Sequence, residues 1–390
     1  MKTWLATIVK RFGFLRYIYR AIIGSFIQVL RFFVKTDNRL ILINSFGGKK
    51  YDDSTKALFE AMRRDRRFEG YRIVWAFHEP SKHNIEGAEK IKTDTFAYFI
   101  TALKARCWLT NSSIGRGLGF KGENTFYFNT WHGTPIKKMG TDKPDYKKKS
   151  KKNTVSKVDV MTAQSDFEAD IFSKAFNIPR ENFLMCGLPR NDSLVNYTAE
   201  ERNKIREKLG LPADKKVILY APTFREYERD IAQNCVLAPP MDLSKWEEAL
   251  KENYCLLFRA HYEVSKVMQV EDNDFVKNMT SYPSLSDLMI AADILISDYS
   301  SIIFDFSVMD KVMLHFTYDY EKYSKNRGMY FDIRDEISGG DNEDKVIELL
   351  KNLDYENEKE KLLKFRDKYL NYYGNAVGMS LDCIIKNIGE

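Results

Sequence analysis

Two successive series of apolar runs and helical patterns constrain this chain more than any other feature. The first series has "RLILINS" (39–45), "YRIVWAF" (71–77), "RCWLT" (106–110), "TFYFNTW" (125–131) and "VDVMTAQ" (158–164), with a helical stretch near 54–67 after the first run. A polar helical stretch over 197–214 reads as a junction. The second series has "KVILYAP" (216–222), "YCLLFRA" (254–260), "DILISD" (293–298) and "VMLHF" (312–316), with "SLSDLMIAA" and "SIIFDFSVM" as intervening helices. Near-continuous apolar runs alternating with helices predict parallel sheets covered on both faces. At 390 residues the chain exceeds one ordinary core. The predicted organisation is α/β, with two doubly wound Rossmann-type domains over 37–205 and 206–390 facing across a cleft, preceded by a helix over 1–36. Such sheets bind ligands past the carboxyl ends of their strands, where the strand order reverses.

Polar residues gather at those ends. The first series delivers Trp131, His132, Gly133, Thr134 and Pro135; the second delivers Thr223-Phe224-Arg225, Arg259-Ala260-His261 and Asp298-Tyr299-Ser300-Ser301, with Asp305 beyond. Taken singly, each has an ordinary explanation: a turn histidine, a helix-capping serine, a surface ion pair. Together they suit phosphoryl transfer. Ser300 and Ser301 at a helix start offer hydroxyls and amides to a phosphate. Arg225, Arg259 and His261 offer positive charge or donors. His132, from the opposite half, is the candidate base for an attacking hydroxyl. Gly133 lets backbone approach the donor closely. The GxxxxGK[ST] pattern is missing, which excludes a P-loop nucleotide site. Ser165-Asp-Phe-Glu168 reads as a capping box, purely structural.

"WHGTP", "APTFR", "RAH" and "SDYSSIIFDF" occur in an order and spacing that resembles the CDP-glycerol glycerophosphotransferase family, which contains teichoic acid primases and polymerases. The resemblance runs from about Arg39 to the carboxyl end. It implies a GT-B-like architecture and transfer of a polyol phosphate from CDP-glycerol or CDP-ribitol to a polyprenyl-diphosphate-linked saccharide acceptor, with release of CMP. It also implies His132 and His261 as catalytic residues. Trp131, Gly133, Thr134, Pro135, Arg225, Arg259, Ala260, Ser300, Ser301 and Asp305 become the donor-binding set, Asp305 reaching a donor hydroxyl. Larger polymerases of the family carry a further amino-terminal domain; here a short basic helix precedes the first strand, which leans toward a primase-sized or single-domain-pair transferase and leaves processivity open. A ribitol-phosphate or capsule polyol-phosphate transferase is the alternative within the family.

Charge distribution bears on partners. The net charge is only +6, yet Lys2, Lys10, Arg11, Arg16, Arg20, Arg31 and Lys35 all precede the first acidic residue, Asp37. Apolar residues at Leu5, Ile8, Phe12, Leu15, Tyr19, Ile22, Phe26, Leu30 and Phe33 form one helical stripe. The longest uncharged run, 21–30, is half of the roughly 20 residues a bilayer needs. Two readings remain, a helix packed on the protein's own core and a helix lying on an anionic membrane at its cytoplasmic face without crossing it; the lack of acidic residues makes the second the expectation. A second basic block covers 137–152, and its Lys137, Lys138, Lys147 and Lys148 are read as an acceptor-side basic loop. It holds one aromatic residue, Tyr146, where a single-stranded nucleic-acid site would interleave several, so no nucleic-acid partner is expected. A basic membrane-binding protein without catalysis would leave the strand-end motifs idle. A sugar-nucleotide transferase or epimerase of the same architecture is the rival enzyme, but the D-x-D in "EDND" (271–274) follows no apolar strand. His78, His83 and His315 show no ligand spacing, so neither a metal nor another cofactor is expected. Five scattered cysteines without a CxxC pair suit reduced thiols.

Overall fold

The computed structural model describes residues 13–144, 157–223, 225, 239–260, 264, 268 and 270–389. Among these, the first sheet comprises β1 (Asp37–Asn44), β2 (Arg72–Phe77), β3 (Glu89–Lys92), β4 (Ala105–Thr110), β5 (Phe126–Asn129), β6 (Val160–Ala163) and β7 (Phe183–Met185). Its order is β3-β2-β1-β4-β5-β6-β7, every recorded pairing being parallel. The apolar runs are buried on both faces because side chains alternate across the pleat. Leu40, Leu42, Val74 and Trp108 enter one core layer, while Ile41, Ile43, Trp75 and Leu109 enter the other.

The second sheet repeats the plan. It contains β8 (Lys216–Tyr220), β9 (Tyr254–Phe258), β10 (Val276–Asn278), β11 (Ile294–Ser297), β12 (Val312–Phe316) and β13 (Gly339–Gly340), ordered β10-β9-β8-β11-β12-β13. The order reverses between β1 and β4 in one sheet and between β8 and β11 in the other. Those two points are where a ligand is expected.

The last helix, Ala376–Ile388, does not stay with the second sheet. Its Leu381, Ile384 and Ile388 enter the core layer of Ile41, Trp75 and Leu109. Asp192 holds its start by accepting from the amides of Ala376 at 2.9 Å and Val377 at 2.7 Å. The chain therefore crosses between the two halves twice.

The helix Gly13–Leu30 docks on the first half through Ile23, Gly24, Ile27 and Leu30, and Gln28 donates to the Gly119 carbonyl. Ile22, Phe26, Val29 and, just past its end, Phe32 and Phe33 point to solvent; Phe32 is 82% and Phe33 79% exposed. Among the described residues, no helix is long and apolar enough to cross a membrane.

Candidate active site

β5 ends in a sharply turned segment that presents His132. Asn129 holds the turn, its side chain accepting from the Trp131 amide at 2.8 Å and donating to the Ser112 carbonyl at 3.0 Å. Trp131 takes a left-handed backbone, φ 50°, and its ring stacks on the His132 ring at 4.2 Å. Phe46 lies on the imidazole at 5.6 Å. His132 Nδ1 is 2.7 Å from the Asn111 carbonyl oxygen. A carbonyl can only accept, so Nδ1 carries the hydrogen, and in the neutral ring Nε2 keeps its lone pair. Burial lowers the His132 pKa, with Arg190 acting the same way; the Asn111 carbonyl and Asp53 act against it. The balance favours the neutral imidazole.

Gly133 lies against Ser301 of the other half. Its φ is +139°, and a Cβ there would lie 2.7 Å from Ser301 Oγ and 3.0 Å from Ser301 Cβ. Glycine is needed for approach to Ser301 across the cleft. Around this point lies a cavity of about 630 Å³, between the strand ends of both sheets. His132, Gly133, Thr134 and Pro135 line it from one side, and Arg259, Ala260, Ser300 and Ser301 from the other; Trp131, Lys137 and Lys138 also reach it. A larger hollow of about 1020 Å³, between helices Leu243–Leu250 and Glu343–Lys351, shares no residue with the motifs. The strand-end cavity is the one with chemistry in its walls.

Within it, Arg259 is fixed by carbonyls beyond β10: Nη1 donates to Met279, Thr280 and Tyr282 at 2.6, 3.0 and 2.5 Å. Ser301 starts the short helix Ile302–Phe306, yet its hydroxyl caps no amide. Thr223 Oγ1, also at the wall, is buried with no hydrogen-bond partner among the described residues. That is a polar atom a bound ligand would satisfy. Lys137 and Lys138 belong to a segment laid on the second half: the Lys138 amide donates to the Gly328 carbonyl, and the Tyr330 amide to the Ile136 carbonyl.

Three residues read as donor ligands have other work. Arg225 is 1% exposed and binds Asp298 and Asp319, each at 2.8 Å, with Tyr299, Tyr318 and Tyr323 rings around its guanidinium. Asp298 in turn accepts from the amides of Thr223 and Tyr299. Arg225 thus holds the turn that carries Ser300 instead of meeting the cavity. Asp305, 4% exposed, does not line the cavity either; it is bound by Arg190 and Asn191. Thr134 lies against the cavity, but its hydroxyl donates to Glu168 at 3.0 Å and accepts from Gln164 at 2.9 Å. His261, Lys147 and Lys148 lie outside the described residues.

The sequence reading missed a buried polar network behind the cavity. Arg190 links Asp53 at 2.6 Å to Asp305 at 2.7 Å. Asn191 donates to Gln164 and to Asp305. Glu168 accepts from the Gln164 amide at 2.6 Å, and burial pushes its carboxyl up to about 7. The expected capping box is therefore half present: Ser165 accepts from the Glu168 amide, but the Glu168 carboxylate turns to Gln164 and Thr134. The available signal was "GLPRND" (187–192), a turn-rich run with two charges. Only the three-residue β7 precedes it, so no long apolar run flagged it.

A family model described as CDP-glycerol:poly(glycerophosphate) glycerophosphotransferase matches residues 26–379. The chain is 34% identical, over 91% of its length, to a teichoic acid poly(glycerol phosphate) polymerase of Staphylococcus epidermidis, but spans only 52% of that protein. It is 32% identical to a teichoic acid glycerol-phosphate transferase of Staphylococcus aureus, covering 82% of this chain and 85% of the relative. Among solved structures, a variant of the wall teichoic acid polymerase TagF soaked with CDPG superposes with a TM-score of 0.82 at 30% identity, covering 96% of both chains.

Proposed function

The chain belongs to the CDP-glycerol:poly(glycerophosphate) glycerophosphotransferase family, and on that premise we propose that it transfers glycerol phosphate from CDP-glycerol to a hydroxyl of a lipid-linked teichoic acid-type acceptor, releasing CMP. The observation that carries this reading is the tautomer of His132. Its Nδ1 hydrogen is committed to the Asn111 carbonyl, so Nε2 is the ring's one proton acceptor. In the proposed step the acceptor oxygen attacks the glycerol-bearing phosphorus while its proton passes to Nε2. A new P–O bond forms, the bond from that phosphorus to the bridging oxygen breaks, and CMP leaves with the electron pair. Arg259, Ser300, Ser301 and the Thr223 hydroxyl are the groups nearest to hand for the diphosphate. His261, two residues past Arg259, is proposed to join them. The charge is offset by these groups, and no step calls for a metal.

Lys137 and Lys138, with the basic residues that follow, are proposed to receive the acceptor's phosphates. The exposed face of Ile22, Phe26, Val29 and Phe33 supports the helix Gly13–Leu30 as a contact with an anionic membrane, at its cytoplasmic face, where a lipid-linked acceptor would be found. Glycerol is preferred over ribitol because the relatives of longest coverage carry glycerol phosphate in their names. The experiment is one assay: purified protein with CDP-glycerol, CDP-ribitol or a UDP-sugar, each with a lipid-linked disaccharide. CMP release from CDP-glycerol alone supports the reading. Release from CDP-ribitol alone moves it to the ribitol alternative, and turnover of the UDP-sugar alone sinks it.

A further inference from the structure

Arg190 sits behind the reacting groups, its side chain only 15% exposed and not part of the cavity wall. Its two arms reach carboxylates on opposite halves of the molecule. Nη1 donates to Asp53 Oδ2 at 2.6 Å; Nη2 donates to both oxygens of Asp305, at 2.9 and 2.7 Å. Asp53 opens the helix that follows β1, and Asp305 lies in the helix that begins just after Ser301. Asp53 takes a left-handed backbone, φ 68°, which a non-glycine residue keeps only when its surroundings require it. Its carboxylate accepts from the Ser54 amide as well as from Arg190. The same guanidinium backs onto Gly133: a Cβ there would lie 3.4 Å from Arg190 Nη2 and 2.7 Å from Ser301 Oγ.

We propose that Arg190 is a positioning residue for the transfer: with Asp53 and Asp305 it forms a buried latch that fixes His132 and Gly133 against Ser300 and Ser301. The role in turnover rests on the transferase reading above. A planar guanidinium holds two carboxylates at once in a set geometry, which a lysine cannot do. In this buried setting, removing one partner leaves the charge of the others poorly compensated.

The latch also sets the field at His132. Asp53 and Arg190 face the ring from the latch, Lys50, Lys137, Lys138, Lys143, Arg259 and Arg327 share its cavity, the Asn111 carbonyl holds Nδ1, and the Phe46 and Trp131 flanks are uncharged. Removing the Arg190 charge leaves Asp53 unopposed, and His132 then holds its proton to higher pH. Removing the Asp53 charge acts the other way.

The test uses the full chain as wild type, Arg190→Gln, Arg190→Lys and Asp53→Asn. His132 is titrated by NMR without substrate, and kcat and CDP-glycerol affinity are measured separately. Arg190→Gln is expected to raise the His132 pKa and cut kcat by about 10–100-fold, the scale of a misplaced reacting group, with CDP-glycerol affinity kept within a few-fold. Arg190→Lys should restore the pKa but only part of kcat. Asp53→Asn should lower the pKa, and it decides the matter if Arg190→Gln does not fold. An unmoved His132 titration overturns the latch, as does a loss of CDP-glycerol affinity as large as the loss of kcat. Because the titration needs no substrate, its failure is distinct from a wild-type protein that does not turn over CDP-glycerol.

Discussion

Replacing Gly133 by alanine places one methyl group against Ser301 of the other half. Two penalties follow, and they are separable. The first is conformational: φ +139° is open to glycine and strained for alanine, at a cost of roughly 1–3 kcal/mol. The second is steric. With Ser301 Oγ at 2.7 Å and Cβ at 3.0 Å, the serine turn or the His132 strand end must move by about 0.5–1 Å to regain ordinary contact. A displacement of that size at reacting groups costs on the order of 10²-fold in rate. Gly133→Ala should therefore lose about 10–100-fold in kcat and roughly 1–3 kcal/mol of unfolding free energy in urea. Making the same change in a Ser301→Gly background removes the steric part and leaves the backbone part. The rate penalty of the methyl group should then shrink to a few-fold while the stability penalty stays, a coupling measured by the double-mutant cycle. Wild-type kcat in Gly133→Ala would refute the close approach as a determinant of turnover. An equal rate penalty in both backgrounds would refute its assignment to Ser301.

Arg225→Ala takes the buried guanidinium away from both Asp298 and Asp319, so it should cost about 3–5 kcal/mol in urea unfolding. Unchanged stability would mean the guanidinium is not holding the serine turn. Glu168 is expected to make stability fall as pH rises. Its pKa is raised by burial to about 7 in the folded chain, so its contribution is fully present below the unfolded value and is lost as pH passes through about 7. Glu168→Gln should flatten that decline, worth up to roughly 3 kcal/mol, in melts taken between pH 4.5 and 8; a decline of the same size in the variant contradicts the assignment. Phe26→Glu with Phe33→Glu alters only exposed side chains. It should leave the fold intact and weaken sedimentation with anionic liposomes by at least about tenfold, whereas equal sedimentation would count against the membrane contact.

The central strands were legible because each is a continuous apolar run buried on both faces. Their companions β3, β7, β10 and β13 were not, and all four are sheet edges of two to four residues. An edge strand such as "EKIK" is half solvated, and charge protects it from further pairing, so it carries no apolar signature. The site was legible in the same partial way. His132, Gly133, Arg259 and Ser300 meet at one cavity because strand ends in parallel sheets converge. Arg225 and Asp305 sit in the same motifs but point elsewhere. Their partners, Asp319 and Arg190, lie 94 and 115 positions away in the chain, a pairing that local pattern does not reveal. The return of Ala376–Ile388 to the first sheet escaped notice for a related reason: its amphipathic pattern states that it packs, not against which layer.

The account stands on His132 as the base, and kcat/KM against pH for wild type and His132→Ala, which reports the ionisations of the free enzyme, tests it most directly. The His132 pKa is lowered by burial, so the wild-type rate should be full at neutral pH. It should then fall as pH drops through a single ionisation below the usual histidine value near 6.5. His132→Ala should bind CDP-glycerol within a few-fold of wild type, lose at least about 10² in kcat, and show no such limb. A variant that keeps near-normal turnover, or the same acid limb, would show that another group takes the proton.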